Sequence, residues 1–262
     1  MRIRMITALT GAAGFLLAGT ALTGTAHAYP VKDEALTKSK LYSTGKLAET
    51  ECAEPSVKAG SVPSARKYWT KIHSCLNDSW KTHLTKAGLP FSEPVLKFGR
   101  IPKGFCGYEI GKENSQAYYC AESKTVHVQL GKDWVEEADD LFLLHAAAEL
   151  YGFHVMNLVG IDKAFEAAPY SGKNEMNEQI RRNSLQGDCL SGVFLRSVWS
   201  SLDRSSRDWR ELQGILKSSG DAKGAERVYG KGSNRLHWTK RGYATGDPAS
   251  CNTWTASPAK VA

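Results

Sequence analysis

Several short signals that would identify a function at sight are missing from this sequence. It has no G-x-S-x-G turn, no phosphate-binding G-x-x-x-x-G-K-[ST] loop and no glycine-rich dinucleotide fingerprint, which removes the usual serine-hydrolase, nucleotide and Rossmann readings. No C-x-x-C pair occurs among its 6 cysteines, so nothing points to a zinc knuckle or a thioredoxin-like redox site. Basic residues never gather into a run: 34 Lys and Arg against 27 Asp and Glu give +7 spread along the chain. Such a charge suits weak attraction to an anionic cell-wall polymer or a membrane surface better than a specific nucleic-acid site. There is no internal repeat and no low-complexity block. After residue 28 no stretch is long and apolar enough to cross a bilayer.

What is present begins with an address. "MRIRM" is positively charged, "ITALTGAAGFLLAGTALTG" is weakly apolar, and "AHA" at Ala26 to Ala28 offers a small-x-small cleavage point. The pattern predicts a secretory signal peptide over 1–28 and a secreted, extracellular chain with no transmembrane span once the signal is removed. That chain starts at Tyr29, loses Arg2 and Arg4, and keeps 32 basic against 27 acidic side chains. Cys52, Cys75, Cys106, Cys120, Cys189 and Cys251 are an even set bound for an oxidising compartment, so disulfides are expected and a free nucleophilic cysteine is not. "FCGYEIGKENSQAYYC" reads as two short strands around a polar turn, which sets Cys106 opposite Cys120. Closing that loop stabilises the fold by about 3 kcal/mol in the chain-entropy model.

Residues 29–64 are polar, with Pro, Gly and Ser scattered and little periodicity; they predict an extended N-terminal arm, tied down at Cys52 if it pairs. The remainder, 65–256, reads as one domain, with 257–262 a flexible tail. "ARKYWTKIHSCLNDSWKTHLTKAG" repeats Trp69, Ile72, Leu76 and Trp80 three to four apart and stops at Gly88, as an amphipathic helix does, and the tryptophan stripe belongs to a core. "PVLKFG", "YYCAES" and "TVHVQLG" are short β-prone runs, and predict a small antiparallel sheet. "DWVEEADDLFLLHAAAELYGFHVMNLVGI" opens on acids and stays apolar for about five turns, the longest helix signal in the chain. A partner helix follows from Ile180, Leu185, Cys189, Val193 and Val198, and a shorter one covers "RSSRDWRELQGILKSSG". The end of the chain, "LHWTKRGYATGDPASCNTW", carries the turn residues Gly246, Asp247 and Pro248. The class is therefore α+β. Gly152 stands in mid-helix at a cost near 1 kcal/mol, which close approach of another backbone, the sheet, would explain.

Three stretches, in order, resemble the signature regions of the neutral zinc metallopeptidase family of secreted or membrane-anchored bacterial proteins. The family helix H-E-[FY]-G-H-H-V-Q-N-L-L-G is aligned with "GFHVMNLVGI" and the three residues before it. The second region, E-L-Q-A-D-C-x-A-G-V, is matched by "SLQGDCLSGVF". The third, R-x-x-W-x-x-R-G-Y-x-x-G-D-P-x-x-C-D-T, is matched by "RLHWTKRGYATGDPASCNTW". "SWKTHLTKAGLPFSEPVLKFG" and "CGYEIGKENSQAYYCAESKTVHVQL" also resemble the family's strand region, so the likeness covers roughly residues 65 to 255. It implies a zincin-like metallopeptidase domain, in which a small antiparallel sheet packs on an active-site helix and its partner. With the remaining cysteines it also implies the pairs Cys189 with Cys251 and Cys52 with Cys75.

The chemistry of that family does not carry over. With the register fixed on Tyr151, Gly152, His154, Val155, Asn157, Leu158 and Gly160, the first zinc histidine falls on Glu149, the catalytic glutamate on Leu150 and the second zinc histidine on Phe153. The expected third ligand falls on Ser184. In H-E-x-x-H two imidazoles four apart grip zinc from one helix face while the glutamate takes a proton from the metal-bound water. Leu150 cannot accept a proton, and loss of a general base is worth about 10²- to 10⁴-fold in rate. Phe153 has no lone pair, and burying it contributes about 1.5 to 3 kcal/mol of apolar transfer energy in place of a metal cross-link.

The reading this favours is a pseudoenzyme: a secreted metallopeptidase-like protein with no cofactor and no catalytic residue, acting by binding a peptide or a partner protease. A second reading keeps an active metallopeptidase with zinc on displaced ligands, His145, Glu149 and Asp188, since His145 and Glu149 share a helix face. His154 completes the residual polar set, although it lies about 140° round the helix from Glu149. A third is a basic structural protein held to the cell wall. Against the second stands a plain alternative, a His145–Glu149 pair satisfied within the core, with Asp188 and Gln186 bonding the two long helices together. A Glu149 buried beside Phe153 without a cation should have a raised pKa.

Overall fold

The computed structural model describes residues 31–112, 114–136 and 140–261; the predicted signal peptide lies outside them. The tryptophan stripe lies on α2, Val62–Lys86, whose start is capped by the Ser61 hydroxyl and which carries Pro63 in its first turn. Gly88, at φ +67°, lets the chain reverse just past its end. Trp69, Ile72, Leu76 and Trp80 are all buried.

Three strands follow: β1, Val95–Phe98; β2, Gln116–Cys120; and β3, Thr125–Gln129. Their order is β1-β3-β2, with β3 parallel to β1 and antiparallel to β2. The sheet is therefore mixed, not antiparallel as the sequence suggested. Alternation marks a strand without giving its direction, and the long path from β1 back to β3 supplies the crossover that parallel neighbours need. The hairpin reading of "FCGYEIGKENSQAYYC" also fails: residues 105–107 form a short 3-10 turn, and β2 pairs with β3 instead. The disulfide forms all the same, because that turn brings the Cys106 Cα to 5.5 Å from that of Cys120. Cys52–Cys75 and Cys189–Cys251 are also bonded.

The longest helix signal becomes α3, Asp140–Leu158, which is enclosed on nearly every side: Leu143, Leu144, Ala148, Tyr151, Val155 and Met156 are fully buried. Such a helix shows little amphipathic contrast because several elements surround it. It ends before Gly160, at φ +82°, and the short α4, Ile161–Ala167, turns away. Its partner is α5, Lys173–Val198. Gly152 is explained by α5 and not by the sheet, since a Cβ there would lie 3.2 Å from the Gly187 carbonyl oxygen and 3.3 Å from Leu190 Cβ.

Two further helices complete the frame. α6, Ser206–Ser218, is started by a capping box between Ser205 and Asp208. α7, Gly232–Thr245, occupies a stretch in which the sequence displayed only its closing turn. Its formation depends on α5: a Cβ at Gly192 would collide with the Thr239 carbonyl, and one at Gly242 with the Cys189 carbonyl, so the two helices touch backbone to backbone. Packing outweighs the poor helix propensity of glycine there.

The polar segment before α2 is folded onto the rest. It forms a short helix, α1, Glu34–Thr37, and a 3-10 turn at Lys40–Ser43, and Leu36 and Leu41 are fully buried. Arg204 reaches both Glu54 and Asp140, fastening this segment to the start of α3. Among the described residues no helix is long and apolar enough to cross a membrane.

Candidate functional site

α3, α5 and α7 each deliver one charged side chain to a common point. Arg235, from α7, lays its guanidinium along the Asp188 carboxylate of α5, with Nε 3.0 Å from Oδ2 and Nη2 2.9 Å from Oδ1. The same Nη2 donates to Glu149 Oε2 on α3 at 2.8 Å, and Nη1 donates to Ser219 Oγ at 3.1 Å. His145, one turn before Glu149, lies with Nδ1 3.8 Å from Glu149 Oε2 and Nε2 3.4 Å from Asp188 Oδ1. That Nε2 makes no hydrogen bond, although its side chain is only 5% exposed.

Burial sets the charges here. It pushes the His145 imidazole down to about 4 against the pull of Asp188, so the ring is neutral near pH 7. It pushes Glu149 up to about 7, against the opposing pull of Arg235. The raised pKa expected for an isolated Glu149 is therefore present even though a cation stands beside it; the carboxylate keeps only a sliver of contact with the cleft, 18% of its side chain. Burial alone would lower the pKa of Arg235, but Asp188 and Glu149 outweigh it and hold the guanidinium charged. Asp188 is fully buried and has its partner.

The four positions at which the family motif calls for zinc ligands and a base face one cleft. Glu149, Leu150, Phe153 and Ser184 all line a cavity of about 1210 Å³ bounded by α3, α5, α6, β2 and the loops near Tyr108 and Tyr229. Phe153 packs its ring edge on Gly187, where the family motif has alanine: a Cβ at that glycine would stand 2.8 Å from Phe153 Cε1. The phenylalanine at the ligand position and the glycine one helix away are fitted to each other.

Zinc, which the family resemblance implies, does not fit these side chains. At the motif positions leucine and phenylalanine offer no donor atom. His145, Glu149 and Asp188 do converge, with ligand-type atoms within 4.8 Å of one another. Both carboxylates, however, are already engaged by the fixed charge of Arg235, and a divalent ion shared with them would sit against a guanidinium.

Arg235 is the residue that sequence reasoning passed over. It opens the third motif, and that was the available signal; only the docking of α7 on α5 brings it to the group. His154 is absent from the constellation. It is fully buried, with Nε2 donating to the Ser92 carbonyl at 2.7 Å and Nδ1 therefore accepting from the Tyr119 hydroxyl at 2.9 Å. Asn157 donates to the Tyr119 oxygen and to the Ala121 carbonyl. This chain of bonds ties α3 to β2 and leaves His154 uncharged, its pKa pushed down to about 4 by burial. Gln186 likewise does not bond the two long helices together; it donates to Tyr42 and accepts from Trp254. Asp188 joins α5 to α7 rather than to α3.

The family model described as "Putative neutral zinc metallopeptidase" matches residues 5–254. Over 210 residues the chain is 27% identical to the Escherichia coli K12 protein YpfJ, covering 74% of this chain and 72% of that one. Over 191 residues it is 24% identical to the Mycobacterium tuberculosis H37Rv protein Rv2575, covering 60% and 62%. No solved structure matches it.

Proposed function

This chain belongs to the neutral zinc metallopeptidase family, and we propose that it has kept the family's framework and cleft without the hydrolytic chemistry, and works outside the cytoplasm by holding a peptide or an extended segment of a partner protein. The observation that carries this reading is the identity of the four cleft side chains: Glu149, Leu150, Phe153 and Ser184 stand where the motif has two histidines and two glutamates. Nothing at position 150 accepts a proton, and the charge of Arg235 neutralises carboxylates that a displaced metal would need. We read the arrangement of the mixed sheet beside α3 as zincin-like.

Binding is the capacity that remains. The cleft exceeds the usual size of a small-molecule site, and β2, at the edge of the sheet, lines it. An edge strand beside a groove suits an extended chain, which gains main-chain hydrogen bonds there while its side chains enter pockets. The chain's own residues would position such a segment: Arg235 fixes the floor, and Phe153 and Leu150 supply apolar contact. The three disulfides fit an oxidising compartment.

The test is metal analysis and peptide hydrolysis by the purified chain. Sub-stoichiometric zinc, no cleavage, and saturable binding of extended peptides are expected. Stoichiometric, tightly held zinc together with a peptidase activity that Glu149→Ala abolishes would establish the displaced-ligand enzyme instead.

A further inference from the structure

The cleft carries a charge opposite to that of the chain around it. The sequence as a whole has more basic than acidic side chains, 34 to 27. Among the described residues lining the cleft the balance is reversed: six are acidic and only Lys163 and Arg235 are basic. Arg235 is already committed to Glu149 and Asp188. Glu109, Glu122, Asp162 and Glu166 form no salt bridge among the described residues. Asp162 is half-buried beside Glu166, and burial together with that neighbour raises its pKa to about 6. With no salt bridge to either carboxylate among the described residues, this wall of the cleft is acidic.

Aromatic surface accompanies it. Tyr108 and Tyr118 lie with ring centroids 5.0 Å apart and planes inclined by 34°. Both line the cleft, and the charges of Asp162 and Glu166 add to the burial that raises the pKa of the Tyr108 hydroxyl. Tyrosine faces next to carboxylates recognise an ammonium or guanidinium group, the rings by their quadrupole and the acids by charge.

We propose that the cleft takes a cationic peptide, whose lysine or arginine side chains enter between the Tyr108–Tyr118 wall and the Asp162–Glu166 pair. This rests on the peptide-binding reading above and narrows it to one ligand class. The positive charge elsewhere on the chain sharpens the choice, because a basic peptide finds its attractive field inside the cleft and repulsion elsewhere.

Three labelled peptides of about ten residues, long enough to lie along a strand edge, alternate serine with lysine, asparagine or glutamate and are titrated by fluorescence anisotropy into the purified full-length secreted chain. The lysine peptide is expected to bind at least about tenfold more tightly than the asparagine one, with an affinity that falls as salt is raised. Asp162→Asn with Glu166→Gln is expected to weaken it about tenfold. Glu109→Gln with Glu122→Gln, on exposed side chains whose replacement leaves the fold intact, is expected to weaken it less but measurably. Equal affinity for the lysine and asparagine peptides would overturn the preference for cations while leaving peptide binding in place. No binding of any peptide would overturn both. Lysine-peptide binding unchanged in both pairs of variants would place the attraction outside the cleft and overturn the inference.

Discussion

Gly187→Ala tests whether an aromatic ring has taken over the space of the family's second zinc ligand. Gly187 lies inside α5, where alanine is favoured over glycine by about 1 kcal/mol. A Cβ built there would stand 2.8 Å from Phe153 Cε1, 3.0 Å from Cζ and 3.3 Å from Cδ1. The first of these is several tenths of an ångström inside an ordinary carbon contact, so the ring has to move. Phe153 borders the cleft and can swing toward it, which limits the cost to the packing lost against α5, about 1 to 2 kcal/mol on the scale of overpacked cores. The two contributions nearly cancel in the natural background, leaving Gly187→Ala neutral or destabilising by about 1 kcal/mol. In a Phe153→Ala background the obstacle is gone and the same substitution should stabilise by close to the full 1 kcal/mol or so of helix propensity. Urea unfolding of the four proteins, followed by circular dichroism with disulfides intact, gives the coupling energy as the difference between the two effects. A coupling of about 1 to 2 kcal/mol is expected. If Gly187→Ala stabilises equally in both backgrounds, within about 0.3 kcal/mol, Phe153 does not rest on α5 and the account of the replaced metal position is wrong.

Other expectations follow from the same group of residues. Arg235→Met strands the buried Asp188 and should cost about 3 to 5 kcal/mol, measured by chemical denaturation, and adding Asp188→Asn should recover a large part of the loss; a cost below about 1 kcal/mol would show the ion pair to be unimportant. His145 and His154 are held neutral in the fold at pKa values of about 4, below the unfolded value near 6.5, so their contribution is complete above that pH and declines as pH falls from 6.5 toward 4. Glu149, raised to about 7, contributes with the opposite sign: its stabilisation is complete below the unfolded value near 4.5 and is lost as pH rises toward 7. Glu149→Gln should therefore steepen the acid-side loss of stability between about pH 4.5 and 6.5, by up to about 1.4 kcal/mol per pH unit, and an unchanged slope would contradict the raised pKa. The quadruple variant Glu149→His, Leu150→Glu, Phe153→His and Ser184→Glu rebuilds the family's ligand set and should take up one zinc ion, read by metal analysis of the folded protein; a folded variant that takes up none would refute the alignment of the helix.

Much of the fold could be read from local pattern. The stripe from Trp69 to Trp80, the acidic start and apolar length of α3, the spacing from Ile180 to Val198 and the alternation in "TVHVQL" each reflect a periodicity that one element imposes on its own residues. The direction of β1 could not be read this way, because alternation is the same in a parallel and an antiparallel strand. Nor could α7, whose glycines argue against a helix until α5 is placed against them. The disulfide between Cys106 and Cys120 came from a hairpin that does not exist, a correct pairing reached through a turn of a different kind.

The candidate site divides in the same manner. That Glu149, Leu150, Phe153 and Ser184 fall on the motif's ligand and base positions is an expectation drawn from the sequence alone, through the register of the resemblance and the atoms those side chains possess. That Arg235 joins Glu149 and Asp188, that His154 is withdrawn into bonds with Ser92 and Tyr119, and that acids and tyrosines line one cleft was decided by tertiary structure. Arg235 and Glu149 are 86 residues apart in the chain. Side chains so distant meet only when helices dock, and docking is governed by the summed packing of the whole core, which no short stretch of sequence encodes.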